Sequence, residues 1–162
     1  MTANTIALGQ AVPDFTASAT DNQTFTLSSI HDQYVVLYFY PKDSTPGCTQ
    51  EGLAFSAQHA AFTALNCSIV GISRDSVRSH ENFKTKQQFP FLLLSDPEEQ
   101  LCQLFDVIKM KNMYGKQVRG IERSTFLLGP GGILLHEWRK VKVPGHAEAV
   151  LQILTQHVEA HS

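Results

Sequence analysis

One run of seven residues, Tyr34-Val35-Val36-Leu37-Tyr38-Phe39-Tyr40, narrows the folds open to this chain more than any other segment. Every member is aromatic, β-branched or leucine, and no charge interrupts it, so the run has no solvent-seeking face. A strand of that kind is covered on both sides, which places it in the middle of a parallel or mixed sheet with helices above and below. It is also far too short to cross a bilayer, which takes about 20 apolar residues in a helix. Pro41 ends it, because proline cannot donate to a strand ladder.

Strand and helix patterns alternate around that run. Residues 14–28 alternate loosely, with Asp21-Asn22-Gln23 between Phe15 and Phe25, which predicts a small N-terminal β-hairpin. Residues 41–47 read as a loop, and beyond it Ala54, Ala57, Ala61 and Leu65 recur at helical intervals. Cys67–Ser73 is a second buried strand, residues 76–88 a polar amphipathic helix, and residues 91–94 a short third strand. Asp96-Pro97-Glu98-Glu99 carries the marks of a helix start: Asp96 as cap, Pro97 in the first turn, Glu99 reaching back. Residues 109–120 are basic and irregular, hence expected to form a surface loop. Residues 124–128 and 133–138 flank Gly129-Pro130-Gly131-Gly132 as a hairpin, and Val150, Leu151, Leu154 and Val158 mark a closing helix behind Pro144-Gly145. This order predicts an α/β fold with helices flanking a central mixed β-sheet, and 162 residues without a repeat or linker suit a single domain over 1–162.

Charge and cysteine usage then limit the function. Lys and Arg total 13 against 15 Asp and Glu, a net charge of −2 that is too little positive charge to neutralise nucleic-acid phosphates. The start, MTANTIALGQ, lacks the cationic and long apolar stretches of a secretory signal, so a cytoplasmic protein without a membrane partner is expected. Three cysteines, Cys48, Cys67 and Cys102, are an odd and sparse set, which argues against a disulfide framework. No Cys-x-x-Cys occurs, and His59, His80, His136, His146, His157 and His161 show no ligand spacing. No metal or cofactor is therefore expected, and these histidines read as structural or solvated.

The chemistry concentrates in Pro41-Lys42-Asp43-Ser44-Thr45-Pro46-Gly47-Cys48-Thr49-Gln50-Glu51. This stretch puts Cys48 after a strand and a Pro/Gly loop, in the first turn of a helix. Unpaired N–H groups and the helix dipole favour an anion there, hence thiolate over thiol. A free cysteine titrates near ~8.5, and helix starts with cationic neighbours lower that by one to several units. The surrounding Thr, Pro, Gly and Glu are poor company for a cysteine that merely fills a core.

The segment YFYPKDSTPGCTQE, with GIERSTFLL downstream, resembles the peroxiredoxins, specifically their Q-type or bacterioferritin-comigratory-protein subfamily. Pro41, Thr45 and Cys48 carry the family's Pro-x-x-x-Thr-x-x-Cys arrangement, and Arg123 corresponds to its arginine before a Ser/Thr-Phe strand. The likeness runs from about Pro13 to about Leu154 and includes ISRDS and LLSDPE. It implies a thioredoxin-like fold and a thiol-dependent peroxidase acting on hydrogen peroxide and small organic hydroperoxides. Cys48 would attack as thiolate and become a sulfenic acid. Thr45 would hydrogen-bond the peroxide, Gly47 and Cys48 would offer backbone N–H donors, and Arg123 would hold the thiolate and orient the substrate. Pro41 would shield the pocket and Glu51 would orient Arg123. The implied partners are the peroxide and a thiol reductant, whether thioredoxin, glutaredoxin or glutathione, with the chain a monomer or weak homodimer.

The chain also departs from that pattern. Leu53 and Lys84 stand where subfamily members carry a resolving cysteine. Three routes remain: a one-cysteine cycle completed by an external thiol, which is preferred, or resolution by Cys102 or by Cys67. A general disulfide oxidoreductase is disfavoured, because Thr45 occupies the position that a first cysteine would need. A non-catalytic redox sensor or chaperone-like protein is the remaining alternative.

Overall fold

The computed structural model describes residues 6–161. Strands β1 (Thr16–Ala19) and β2 (Gln23–Thr26) form the N-terminal hairpin, turned by Asp21 and Asn22, both at positive φ. Short side chains that bond locally make such a left-handed pair tolerable. There follow β3 (Tyr34–Phe39), helices α1 (Pro46–Ala57) and α2 (His59–Ala64), β4 (Cys67–Ser73), α3 (Val77–Gln87) and β5 (Leu92–Ser95). Helix α4 (Gln100–Leu104), strands β6 (Ile108–Met113), β7 (Lys116–Ile121), β8 (Ser124–Gly129) and β9 (Ile133–Trp138), and helix α5 (His146–Ala160) complete the chain.

Seven strands form one mixed sheet in the order β2-β1-β5-β4-β3-β8-β9. The expected central strand lies within it, β3 pairing in parallel with β4 and antiparallel with β8. Its alternation divides the core. Val35, Leu37 and Phe39 point to a face shared with Leu101, Cys102 and Phe105, whereas Val36, Tyr38 and Tyr40 join Phe55, Phe62, Phe83, Val150 and Leu154 on the other. On that second face Tyr38 stacks on Phe55 at 4.8 Å between ring centroids. Such a pair contributes about 0.5–1.5 kcal/mol beyond its buried area. The result fixes α1 over the C-terminal end of β3, where the Pro41–Gly47 connection emerges.

Three local expectations are corrected. The helical pattern through Leu65 splits into α1 and α2 at Gln58, whose N–H bonds Phe55 O at 3.1 Å and tightens the last turn. The helix expected to open at Asp96 opens at Gln100, because Glu99 adopts φ 63°. Asp96 still caps it from a distance, accepting from the N–H groups of Leu101 (3.2 Å) and Cys102 (2.8 Å), while Glu99 turns outward to Arg74 and Arg119. Lastly, residues 109–120 are no loop: β6 and β7 form a separate antiparallel ribbon turned by Tyr114 and Gly115, at φ 54° and 80°.

Candidate active site

Cys48 sits in the first turn of α1, which starts on Pro46 with Thr45 in extended conformation before it. Proline suits that position because its missing N–H would have found no helical acceptor. The first ladder bond runs from Thr49 N–H to Thr45 O at 2.9 Å, leaving the N–H groups of Gly47 and Cys48 ahead of the ladder. The Thr45 hydroxyl donates to Lys42 O at 2.8 Å, so its oxygen keeps lone pairs free to accept. Cys48 is only 2% exposed, and Pro41 is half-buried beside the loop.

Arg123, two residues beyond β7, brings both Nη1 and Nη2 to 3.6 Å from Cys48 Sγ. Nη1 also donates to Glu51 Oε1 at 2.7 Å. One guanidinium thus spans a sulfur and a carboxyl, which its planar fork of donors permits. Gly47 makes room for it: a Cβ on that residue would lie 3.1 Å from Nη2. Burial works against the charge on Arg123, but Glu51 and Cys48 outweigh it and raise its pKa, keeping it cationic. Burial dominates at Glu51, which is 1% exposed, and pushes its pKa up to about 7 despite Arg123. Its second oxygen, Oε2, and the hydroxyl of Tyr38 beneath are buried without a hydrogen-bond partner among the described residues. Burial, then the charges of Glu51 and Cys48, hold Tyr38 firmly in its neutral form. An ionised sulfur here would face two guanidinium nitrogens and a helix start.

The loop bearing this site is anchored by a buried polar network. Asp43 accepts from Tyr40 Oη (2.7 Å) and Ser79 Oγ (2.7 Å), and its Oδ2 lies 2.7 Å from His80 Nδ1. His80 Nε2 lies 2.8 Å from Leu94 O, a pure acceptor, so both ring nitrogens donate and the ring is an imidazolium opposite a carboxylate. The Asp43 N–H donates to Asp75 Oδ2 at 2.9 Å. Burial opposes ionisation of Asp43, yet His80, Tyr40 and Ser79 lower its pKa below the ordinary carboxylate range. A depressed carboxylate stabilises the fold above its unfolded pKa, near ~3.9, and that contribution is lost as pH falls through the folded value. Asp43→Asn leaves a buried imidazolium without its counter-charge, so it is expected to cost about 3–5 kcal/mol, read from the urea midpoint at neutral pH. An unchanged midpoint contradicts the ion pair.

Residues 8–137 match the AhpC/TSA family. The chain is 54% identical over 159 residues to Peroxiredoxin Bcp of Xanthomonas campestris, covering 98% of this chain and 99% of that one. The chain belongs to the AhpC/TSA family of peroxiredoxins. Peroxiredoxin Bcp of Bacillus subtilis is 49% identical over 150 residues, covering 93% and 96% of the two chains. Among solved structures, the Xanthomonas campestris bacterioferritin comigratory protein, studied for alkyl peroxide reduction, superposes with a TM-score of 0.87 at 54% identity, covering 94% of this chain and 98% of its own. The Mycobacterium tuberculosis protein BcpB gives 0.82 at 30% identity, covering 93% and 97%. As a peroxiredoxin the chain is a thiol-dependent peroxidase that consumes a peroxide and draws on a thiol reductant, and its fold is the thioredoxin-like one the sequence resemblance implied.

The other two thiols of this peroxiredoxin lie apart from the site. Cys102 belongs to the core on the opposite face of the sheet from Cys48, so β3 and its neighbours stand between them. Cys67 shares the face of Cys48 but pairs with Tyr34, at the other end of β3. Five strand steps separate those ends, roughly 16 Å, whereas a disulfide needs Cα atoms within about 7 Å. Burial pushes the Cys67 thiol up to about 12, and burial reinforced by Asp96 raises Cys102 as well. Leu53 is 43% exposed on α1, and Lys84 donates to Phe89 O at 2.8 Å near the end of α3.

Of the residues the sequence motif joins, Cys48, Glu51 and Arg123 meet at hydrogen-bond distance, Thr45 and Gly47 flank them at the start of α1, and Pro41, expected to shield the pocket, is half-buried on the adjoining loop. The sequence assigns no role to Asp43 or Tyr38. Asp43 stands inside the informative segment, but the partners that give it meaning, Ser79 and His80, come from α3, far along the chain. His80, expected to be structural or solvated, is structural, fully buried and paired with Asp43.

Proposed function

We propose that Cys48 is the peroxidatic nucleophile of a one-cysteine cycle. Its thiolate attacks the nearer peroxide oxygen, forming the S–O bond as O–O breaks. The departing oxygen takes a proton and leaves as water or an alcohol, and Cys48 becomes a sulfenic acid. An external thiol then condenses with the sulfenic acid, releasing water and giving a mixed disulfide, and a further thiol returns Cys48 to its reduced form. Arg123 supplies fixed positive charge to the sulfur and the departing oxygen, the N–H groups of Gly47 and Cys48 and the Thr45 hydroxyl hold the peroxide, Glu51 orients Arg123, and Pro41 shields the pocket.

The observation that carries this reading is the pair of 3.6 Å contacts from Arg123 to a sulfur lying in the first turn of α1. The separation of Cys67 and Cys102 from Cys48 favours an external thiol, from thioredoxin, glutaredoxin or glutathione. The substrates proposed are hydrogen peroxide and small organic hydroperoxides, the setting the cytoplasm, and the state a monomer or weak homodimer. No helix among the described residues is long and apolar enough to cross a membrane. Peroxide consumption driven by dithiothreitol, run beside an insulin-reduction assay, tests the reading. Rapid peroxide loss without insulin reduction is expected, and the reverse outcome would assign a general disulfide oxidoreductase.

A further inference from the structure

The β6–β7 ribbon stands outside the main sheet and carries an unusual surface. Six large apolar side chains are exposed among the described residues, and four of them, Met110, Met113, Tyr114 and Val118, lie on this ribbon, with Tyr114 fully exposed. Between Ile108 and Ile121 the chain has Lys109, Lys111, Lys116 and Arg119 and no carboxylate, on a protein whose net charge is −2. Concentrated apolar surface rimmed by one sign of charge marks a contact site.

The register divides the ribbon into two faces. Met110, Asn112, Gln117 and Arg119 share one, and Arg119 is tied down to Glu99 beside α4. Lys109, Lys111, Met113, Lys116 and Val118 share the other. On that second face Lys109 pairs with Asp106, whereas no ion pair engages Lys111 or Lys116 among the described residues. This face adjoins the reaction centre. Lys111 is half-buried, and its ammonium pKa is lowered by burial first and then by Arg123, with Cys48 acting in the opposite sense. The strand β7 itself leads within two residues to Arg123.

We propose that this face of the ribbon, Lys111, Met113, Lys116 and Val118 with Tyr114 at its tip, docks an acidic dithiol protein that reduces oxidised Cys48. The inference rests on the external-thiol cycle proposed above. Cys48 is 2% exposed and has no thiol partner nearby, so a protein thiol must be held at the pocket mouth to reach it. Small thiols need no such platform. Apolar side chains offer the contact, and the unpaired lysines select and steer a partner of opposite charge. Transient redox encounters bury less than about 1,200 Å² in total, an area that one face of a six-residue ribbon and its surroundings can supply. The chemistry balances: the first partner thiol and the Cys48 sulfenic acid give a mixed disulfide and water, and the second partner thiol displaces Cys48 as a thiol while the partner leaves as its own disulfide.

The test compares two reductants on the full chain and on the double variant Met113→Ser/Lys116→Glu. Thioredoxin, regenerated by its reductase, is the acidic dithiol probe, and dithiothreitol is the small one. The expected result is a fall of about tenfold or more in kcat/KM for thioredoxin, with dithiothreitol-driven turnover unchanged. Wild-type turnover with thioredoxin should also weaken as salt is added, and turnover with dithiothreitol should not. Equal thioredoxin kinetics in the variant overturn the proposal, as does a concentration-dependent dimer abolished by the substitutions while thioredoxin turnover stays intact, which would give the ribbon to a second copy. Failure of both thiols to sustain wild-type turnover overturns the external-thiol cycle and this inference with it. Turnover with dithiothreitol but equal loss of both reductants in the variant overturns docking alone.

Discussion

Replacing Cys48 with serine is expected to remove peroxide turnover, by on the order of 10³-fold or more, with the fold intact. A hydroxyl is close in size to a thiol, and the 2% exposed position loses little packing by the exchange. What disappears is the reactive atom. Serine stays protonated at neutral pH even beside a guanidinium and has no low-energy route to accept oxygen from a peroxide, so no S–O bond can form. The N–H groups of Gly47 and Cys48, the Thr45 hydroxyl and Arg123 remain in place, which makes the variant a clean removal of the nucleophile. Stopped-flow peroxide consumption reads the loss, and circular dichroism reads the fold. Retained turnover, carried by Cys67 or Cys102, would contradict the assignment of the site.

The second large effect is expected at Arg123. Arg123→Ala removes both nitrogens that face Cys48 Sγ at 3.6 Å and the donor to Glu51 Oε1 at 2.7 Å. Loss of a fixed donor aimed at developing charge costs about 10²–10³ in rate, and here two nitrogens facing the sulfur go at once. Glu51 tolerates the change, because burial already pushes its pKa up to about 7 and a neutral carboxyl needs no counter-charge. Folding should therefore survive while second-order peroxide consumption collapses. Arg123→Lys is expected to recover only part of the rate, since one ammonium cannot span a sulfur and a carboxyl together. Full recovery by lysine would reduce the role of Arg123 to simple charge, and an unchanged rate in the alanine variant would remove it from the site.

Much of this was legible in the chain itself. The seven-residue apolar run dictated a central strand because nothing in it could face water, and the order of patterns around it dictated helices on both sides. Cys48 announced itself through its loop and helix start. Arg123 did not: as an isolated arginine it resembles any surface cation, and only the peroxiredoxin motif joined it to a residue 75 positions away. The ribbon went unread for a physical reason. Only its base, at Ile121 and beside Ile108, reaches the core, so the short Ile108-Lys109-Met110-Lys111 alternation is outweighed by lysines and exposed residues, and its turn uses Tyr114-Gly115 instead of the Asn-Gly pair that signals a tight hairpin. Helix α4 was misplaced because Asp96 caps from across a turn, a geometry that local spacing does not reveal. The Asp43–His80 pair shows the same limit, since two charges 37 positions apart meet only after β3, α3 and β5 have packed.

The most direct measurement treats the reduced chain with one equivalent of hydrogen peroxide, traps the product with a sulfenic-acid reagent, and maps it by intact mass and peptide analysis. The account predicts a single added oxygen on Cys48, with Cys67 and Cys102 recovered as free thiols. An unreacted Cys48, or a bridge from it to Cys67 or Cys102, would contradict it.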